Sequence, residues 1–215
     1  MANKMCEIRI NFQKQLTKVK KDLIKLDDEI IKNFKKSINL FKTYDDIIFN
    51  EIKTEIKKIE CDNKKIEEEC LELLATQQPL ACDLIFIENC MKISSNLGDI
   101  TRLTFNITKT AKELQKDKIS EKPFDTIMKM SENVEDMLSN CVKVFLNQEK
   151  TEALQIKQND DVVDEYFDKF MINIKNTIKQ KPETVNTLIS FLLVGRYLER
   201  MADRAETIAL LTFQV

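Results

Sequence analysis

The chain has 215 residues, with 34 Lys and Arg against 36 Asp and Glu, which gives a net charge of -2 at pH 7. With two Gly, three Pro and no Trp, its composition is typical of a helical protein. It has no His, which excludes Ser-His-Asp and Cys-His catalysis and His-ligated zinc; because it also lacks a long basic run, nucleic acid is not an expected partner.

The sequence also gives expectations about membranes and redox state. No run of 18 apolar residues occurs, so no membrane-spanning helix is expected. The first residues lack the apolar segment of a secretory signal, so a cytoplasmic protein is expected. No Cys-x-x-Cys spacing occurs, so we expect reduced cysteines that pack as small apolar side chains. The six cysteines are Cys6, Cys61, Cys70, Cys82, Cys90 and Cys141.

Apolar residues recur with helical spacing in six segments, which predicts six long helices. Pro79, Pro123 and Pro182 each stand at the start of such a segment, as expected for proline in a first helical turn. Short linkers predict that successive helices are antiparallel. The expected helices span about residues 5–43, 46–76, 79–116, 124–147, 151–179 and 182 to near the end of the chain.

The third and sixth predicted helices are similar to each other. "KISSNLGDITRLTFNI" aligns without a gap on "LVGRYLERMADRAETI", so that Leu97 falls on Leu198 and Ile100 on Met201. The order of the helices and the positions of Pro79 and Pro182 repeat as well. An internal repeat determines the architecture, so we predict two tandem three-helix bundles, residues 1–118 and 119–215, related by pseudo-symmetry.

Three stretches carry a resemblance to a known family. "LLATQQPLACDLIFIENCMKIS" contains a helix end, Gln-Pro, a small residue and Asp-Leu, and "RYLERMADRAETIA" contains Arg-x-Leu-Glu-Arg followed by a hydrophobic residue, a small residue and Asp. "NDDVVDEYF" contains Asp-x-x-Val-Asp on the preceding helix. Together these stretches resemble the PhoU family from about the second helix to the end of the chain.

The resemblance implies an all-α fold of two three-helix bundles and a function without catalysis. It implies a cytoplasmic accessory protein of phosphate transport, a negative regulator that reports the state of a transporter to the phosphate response, in bacteria through a sensor histidine kinase. The implied partners are components of a phosphate ABC transporter or a signalling protein, with membrane association only through them, and homodimer formation stays open. Some members of the family bind metal clusters through Glu/Asp-xxx-Asp motifs.

Two pairs of carboxylates in the second bundle match those motifs. Asp160 and Asp164 are one turn apart on the fifth helix, and Glu199 and Asp203 are one turn apart on the sixth, so each pair shares a helix face. On antiparallel neighbours the four would converge, and oxygen ligands suit a hard cation. The expected cofactor is a divalent or trivalent ion (Fe, Zn, Mn or Mg), with Asp161 and Glu206 as additional candidate ligands.

A solvated acidic face is the alternative interpretation of these carboxylates. Charged pairs four residues apart are common on exposed helices. Arg196, Arg200 and Arg204 lie on the same helix as Glu199 and Asp203 and could neutralise them as ion pairs. Spacing alone therefore leaves both interpretations open.

The first bundle has lost most of the corresponding acids. In the gap-free alignment the motif positions fall on Ile56 and Glu60 in the second helix and on Gly98 and Arg102 in the third. One acid remains, and one position is a cation. We therefore predict no metal cluster in the first bundle, and we expect Arg102 to pair with Glu60 across the two helices.

Other functional classes stay open at this point. A helical-bundle structural adaptor, or an accessory protein of a different phosphate carrier, would need no metal. A metal-storage protein of the carboxylate-bundle type is less favoured, because such sites combine Glu with Glu-x-x-His pairs and the chain has no His.

Overall fold

A computed structural model describes residues 2–77, 79–117 and 119–214. These residues form six long helices, and none of them lies in a β-strand. The all-α prediction is confirmed. The helices are α1 (Ala2–Asn39), α2 (Asp46–Gln77), α3 (Ala81–Glu113), α4 (Glu121–Asn147), α5 (Lys150–Gln180) and α6 (Val185–Leu210), and short 3₁₀ segments span Pro182–Thr184 and Leu211–Gln214.

The prolines mark helix starts, but not all in the predicted position. Pro79 precedes α3, which begins at Ala81, and Pro182 opens the 3₁₀ turn that leads into α6. Only Pro123 lies within the first turn of its helix, α4. In each case the missing proline N–H falls where a helix start leaves amides without an intrahelical acceptor.

The six helices pack in two layers. Helix α1 contacts α2 and α3, and α4 contacts α5 and α6. The two groups meet where α1 contacts α4 and α3 contacts α6, which gives one layer in the order α2, α3, α6, α5 and a second layer of α1 and α4. Both contacts between the groups are antiparallel. Lys35 pairs with Glu135 across α1 and α4, and Asp99 pairs with Arg204 across α3 and α6.

One hydrophobic core extends through both groups of helices and includes buried side chains from all six. A smaller cluster near the start of α2 contains Leu40, Phe49, Ile52, Ile56 and Ala111. The division into domains at residue 118 stays a prediction. Among the described residues, no helix is both long and apolar enough to cross a membrane.

Gly195 lets α6 approach its neighbours closely. A Cβ at this buried position would lie 2.7 Å from Phe170 Cε1 on α5 and 3.3 Å from Ile127 Cδ1 on α4. Overpacking costs about 1–3 kcal/mol, and contacts as short as 2.7 Å to a fully buried ring place Gly195→Ala near the upper end. After the gain of roughly 1 kcal/mol in helix propensity, the free energy of unfolding is expected to fall by about 1–2 kcal/mol. Urea unfolding measures the difference.

Gly98 provides the matched control. A Cβ there would meet only the Asn63 side-chain nitrogen, at 3.1 Å, a contact that a shift of a few tenths of an ångström relieves. Gly98→Ala is expected to leave stability unchanged or to raise it slightly. Equal stability of Gly195→Ala and the wild type would contradict close packing at α6.

Candidate functional site

The candidate site lies along the seam between α5 and α6, on the outer face of the four-helix layer. These helices are antiparallel neighbours, so α5 brings Asp160 and Asp164 toward the α6 residue Asp203. Asp160 is half-buried, and Asp164 and Asp203 are exposed. Asp203 therefore acts on both α5 carboxylates across the seam, and the convergence of all four predicted carboxylates stays a prediction.

The carboxylates of the seam repel one another. Burial, together with the charges of Glu206, Asp203 and other nearby acids, raises the pKa of Asp160 to about 7. Burial and the charge of Asp203 also raise the pKa of Asp164, against a smaller opposing effect of Arg196. The raised pKa values of Asp160 and Asp164 indicate that nearby cations do not offset the effects of burial and of the neighbouring acids.

The arginines of α6 offset only part of this charge. Arg196 donates to Glu199, a half-buried side chain, three residues further along the helix. Arg204 does not pair with Asp203 but with Asp99 on α3, at 3.3 Å. Arg200 is exposed and, among the residues that the structure describes, forms no ion pair. The expected neutralisation by arginines thus applies to Glu199 and not to Asp203.

The same carboxylates do not meet at a single point. Within residues 2–77, 79–117 and 119–214, no three His, Cys, Asp or Glu side chains stand close enough together to form a ready metal site. Burial is the main cause of the raised pKa of Asp160, and the charges of Glu206 and Asp203 add to it; shared ligation of one ion would require the carboxylates to converge. The all-oxygen donor set and its uncompensated charge fit a hard cation, and binding would require the exposed side chains to change rotamer.

The corresponding seam of the first bundle is a groove between α2 and α3. Glu60, Asn63, Glu67, Gly98 and Arg102 are among the side chains that line it. The groove has both acids and cations, because Lys64 lies there as well. The absence of a metal cluster here stays a prediction.

Ile56, the other aligned motif position on α2, is buried in the small cluster with Ala111, and its lack of an oxygen ligand agrees with the alignment. One expectation for the first bundle is wrong. Arg102 does not pair with Glu60; it donates to Asp99, three residues earlier on its own helix. An acid three positions away on the same helix face is already within reach, so no contact across the groove is needed.

Sequence reasoning missed Asp99 as a link between the two bundles. Its carboxylate accepts from Arg102 on its own helix and from Arg204 on α6. The only sequence signal was the Asp99 and Arg102 spacing, which predicts a pair within one helix. The contact to Arg204 depends on how α3 crosses α6, and the sequence pattern does not contain that information.

Comparison with known proteins places the chain in a family. The sequence profile described as the PhoU domain matches twice, over residues 23–111 and 127–212, one match in each half. The chain belongs to the PhoU family. A relative from Methanothermobacter thermautotrophicus, the "Phosphate-specific transport system accessory protein PhoU homolog 1", is 32% identical over 201 residues, which cover 94% of this chain and 92% of that protein. The PhoU homolog of Borreliella burgdorferi is 27% identical over 211 residues, 96% of this chain and 95% of that protein.

Solved PhoU structures have the same fold. The crystal structure of PhoU from Pseudomonas aeruginosa superposes with a TM-score of 0.89 at 22% identity, over 94% of this chain and 97% of that one. The phosphate transport system regulatory protein PhoU from Streptococcus pneumoniae gives 0.85 at 22% identity, over 94% of each chain. The PhoU profile matches each half of the chain separately, which agrees with the repeat that the alignment of α3 and α6 indicated.

Proposed function

We propose that this chain is a regulatory accessory protein of phosphate transport that acts by docking, without catalysis, to transporter components or to a signalling protein. In this proposal it is a cytoplasmic negative regulator of the phosphate response. The observation that carries the proposal is the similarity to proteins named as phosphate-specific transport accessory proteins along nearly the whole length of both chains. Homodimer formation stays a prediction.

The repeat supports a docking role rather than a pocket-based activity. The four-helix layer presents two long seams to solvent, one per bundle, and their side chains differ. The α5–α6 seam has unneutralised acids around Asp160, and the α2–α3 groove has Glu60 beside Lys64 and Arg102. Two related faces with different charges can recognise different partner surfaces.

Within this proposal, a hard metal ion binds on the second bundle. Asp160, Asp164, Glu199 and Asp203 would hold it, with Asp161 and Glu206 as neighbouring acids. The ion would supply positive charge that cancels the repulsion between α5 and α6. Asp160 and Asp164 would supply oxygens from α5, and Asp203 would supply them from α6. Arg196 donates to Glu199, so this ion pair would have to open for Glu199 to act as a ligand.

Binding to the transporter tests the function. The purified chain is expected to bind the phosphate ABC transporter of its own organism, reconstituted in nanodiscs, and not an unrelated ABC transporter from the same membrane. In cells, deletion of the gene is expected to switch on a phosphate-starvation reporter in phosphate-rich medium, and the wild-type gene should restore repression. Equal binding to both transporters, with an unchanged reporter, would argue for a structural adaptor instead.

A further inference from the structure

The turn between α2 and α3, at one end of the first bundle, combines acidic residues with exposed leucines, and α1 brings only Lys18 and Lys20 against it among the ion pairs and cation–π contacts of the described residues. Residues 66–91 contain six acidic residues and no Lys or Arg. Three leucines in this stretch are largely exposed: Leu71 at 53%, Leu80 at 63% and Leu84 at 46%. We call the described part of this stretch, residues 66–77 and 79–91, the acidic tip.

The leucines of the acidic tip form one apolar strip. Leu80 immediately precedes α3, and its carbonyl oxygen accepts from the Leu84 backbone N–H at 2.8 Å, so the two residues are one turn apart. The register of α2 and α3 is fixed where the Ser94 hydroxyl donates to Asn63 Oδ1, at 2.6 Å. Leu71 is eight residues from Asn63 and Leu84 is ten from Ser94, distances of about 12 and 15 Å along antiparallel axes. Leu71 is therefore at nearly the same level as Leu84. Both continue the outward face of the α2–α3 groove, because Leu71 is four residues after Glu67 and Leu84 is eleven residues, about three turns, before Ser95, and Glu67 and Ser95 line that groove.

Acids border this strip. Glu67 and Glu68 are four and three residues before Leu71, and Glu88 is four after Leu84, so each neighbours a leucine on its own helix. Glu88 pairs with Lys92, and Glu69 pairs with Lys18 on α1. The remaining acids, Glu67, Glu68, Glu72 and Asp83, form no ion pair with any residue that the structure describes.

The equivalent end of the second bundle has the opposite charge. Residues 169–192, around the turn between α5 and α6, contain four Lys and one Glu. This end also exposes two large apolar side chains, Ile172 at 56% and Ile189 at 52%. Exposed apolar groups are thus common to both ends, whereas the acidic border is specific to the first.

We propose that the acidic tip docks a cationic amphipathic helix of a partner protein, with its apolar side on Leu71, Leu80 and Leu84 and its Lys or Arg side chains against Glu67, Glu68 and Glu72. This inference rests on the proposed docking function and specifies one of its surfaces. An apolar strip bordered by charge of one sign is the common form of helix recognition, in which the apolar contact gives affinity and the charges give orientation and partner choice.

Binding of a defined peptide tests the proposal. The probe is a fluorescein-labelled peptide of about 18 residues, long enough to form a helix, with Leu on one side of that helix and Lys on the other. A peptide with Glu in place of Lys is the charge control. The wild-type chain is expected to bind the Lys peptide at least tenfold more tightly than the Glu peptide, and the difference should shrink as salt concentration rises. The double variant Leu71→Ser, Leu84→Ser should weaken binding of the Lys peptide about tenfold.

The matched variant Ile172→Ser, Ile189→Ser is expected to leave this affinity unchanged. All four positions are exposed, so both double variants should keep the wild-type thermal midpoint. Equal losses in the two double variants, or equal affinity for the two peptides, would overturn the proposal. The proposal would also be overturned if the chain associates with itself and both double variants abolish that association, because a second copy of the chain would then be the occupant. Transporter binding that survives Leu71→Ser, Leu84→Ser would overturn the tip proposal while leaving the general function intact.

Discussion

Asp27→Asn is expected to stabilise the protein strongly at neutral and alkaline pH. Asp27 is on α1, where it is 1% exposed, and its Oδ1 atom has no hydrogen-bond partner among the described residues. Burial, with a contribution from Asp28 and against that of Lys143, raises the pKa of Asp27 to about 8. Burial and, to a smaller extent, the charge of Asp27 raise the pKa of the Cys141 thiol on α4. The thiol is therefore a neutral neighbour of Asp27.

The sign of the effect follows from proton linkage. In the unfolded chain Asp27 ionises near pH 4, whereas in the folded chain it keeps its proton up to about pH 8. The folded state binds more protons across this interval, so Asp27 lowers stability as pH rises from about 4 to 8. At about 1.4 kcal/mol per pKa unit, the upper bound on the gain from Asp27→Asn at pH 8 is on the order of 5 kcal/mol.

Urea unfolding at pH 4 and pH 8 measures this prediction. The variant should differ little from the wild type at pH 4 and should be clearly more stable at pH 8. Asp28→Asn, at the exposed neighbouring position, is the control and is expected to change stability only slightly. If Asp27→Asn lowers stability at both pH values, Asp27 has a partner in its ionised form.

Metal binding to the second bundle is expected to raise the melting temperature of the chelator-treated protein. At a free metal concentration 100 to 1,000 times the Kd, binding adds about 3–4 kcal/mol to the free energy of unfolding. Mg²⁺, Mn²⁺, Zn²⁺ and iron are added separately, and elemental analysis counts the ions retained. Asp203→Asn should remove most of the increase, because it replaces the α6 carboxylate that faces Asp160 and Asp164 by a neutral amide with a single oxygen.

The first bundle supplies the control for this experiment. Glu60→Gln changes an acid of the α2–α3 groove and is expected to leave the metal-dependent increase intact. A metal content near zero in the wild type, unchanged in Asp203→Asn, would remove the metal from the proposed function. The regulatory proposal would then depend on protein contacts alone.

The sequence predicts the fold well because the signals for it are local and repeated. The low content of Gly and Pro and the helical spacing of apolar residues predict long helices. Short linkers predict that successive helices are antiparallel. The alignment of α3 with α6, in which Leu97 and Leu198 coincide and are both fully buried, indicates the repeat. Helix ends are less well predicted: α3 starts two residues after Pro79 because a helix start depends on the geometry of the turn before it.

The candidate site is predictable only to the level of the helix face. Spacing places Asp160, Asp164 and Asp203 on one seam, but whether the carboxylates converge depends on rotamers, and spacing does not specify them. The pairing of Arg204 with Asp99 depends on how α3 crosses α6. The burial of Asp27 cannot be predicted from the sequence for a related reason. A single acid between core positions is buried only if a neighbouring helix covers it.

The opposite charges of the two turn ends have a consequence for encounters at a distance. Since α3 and α6 are antiparallel, residues 66–91 and 169–192 stand at opposite ends of the four-helix layer, one rich in acids and the other in lysines. The chain is almost neutral overall, yet these two stretches contribute charge of opposite sign to the two ends of the layer. An approaching partner with a charged surface is therefore expected to favour one end over the other, most strongly at low ionic strength.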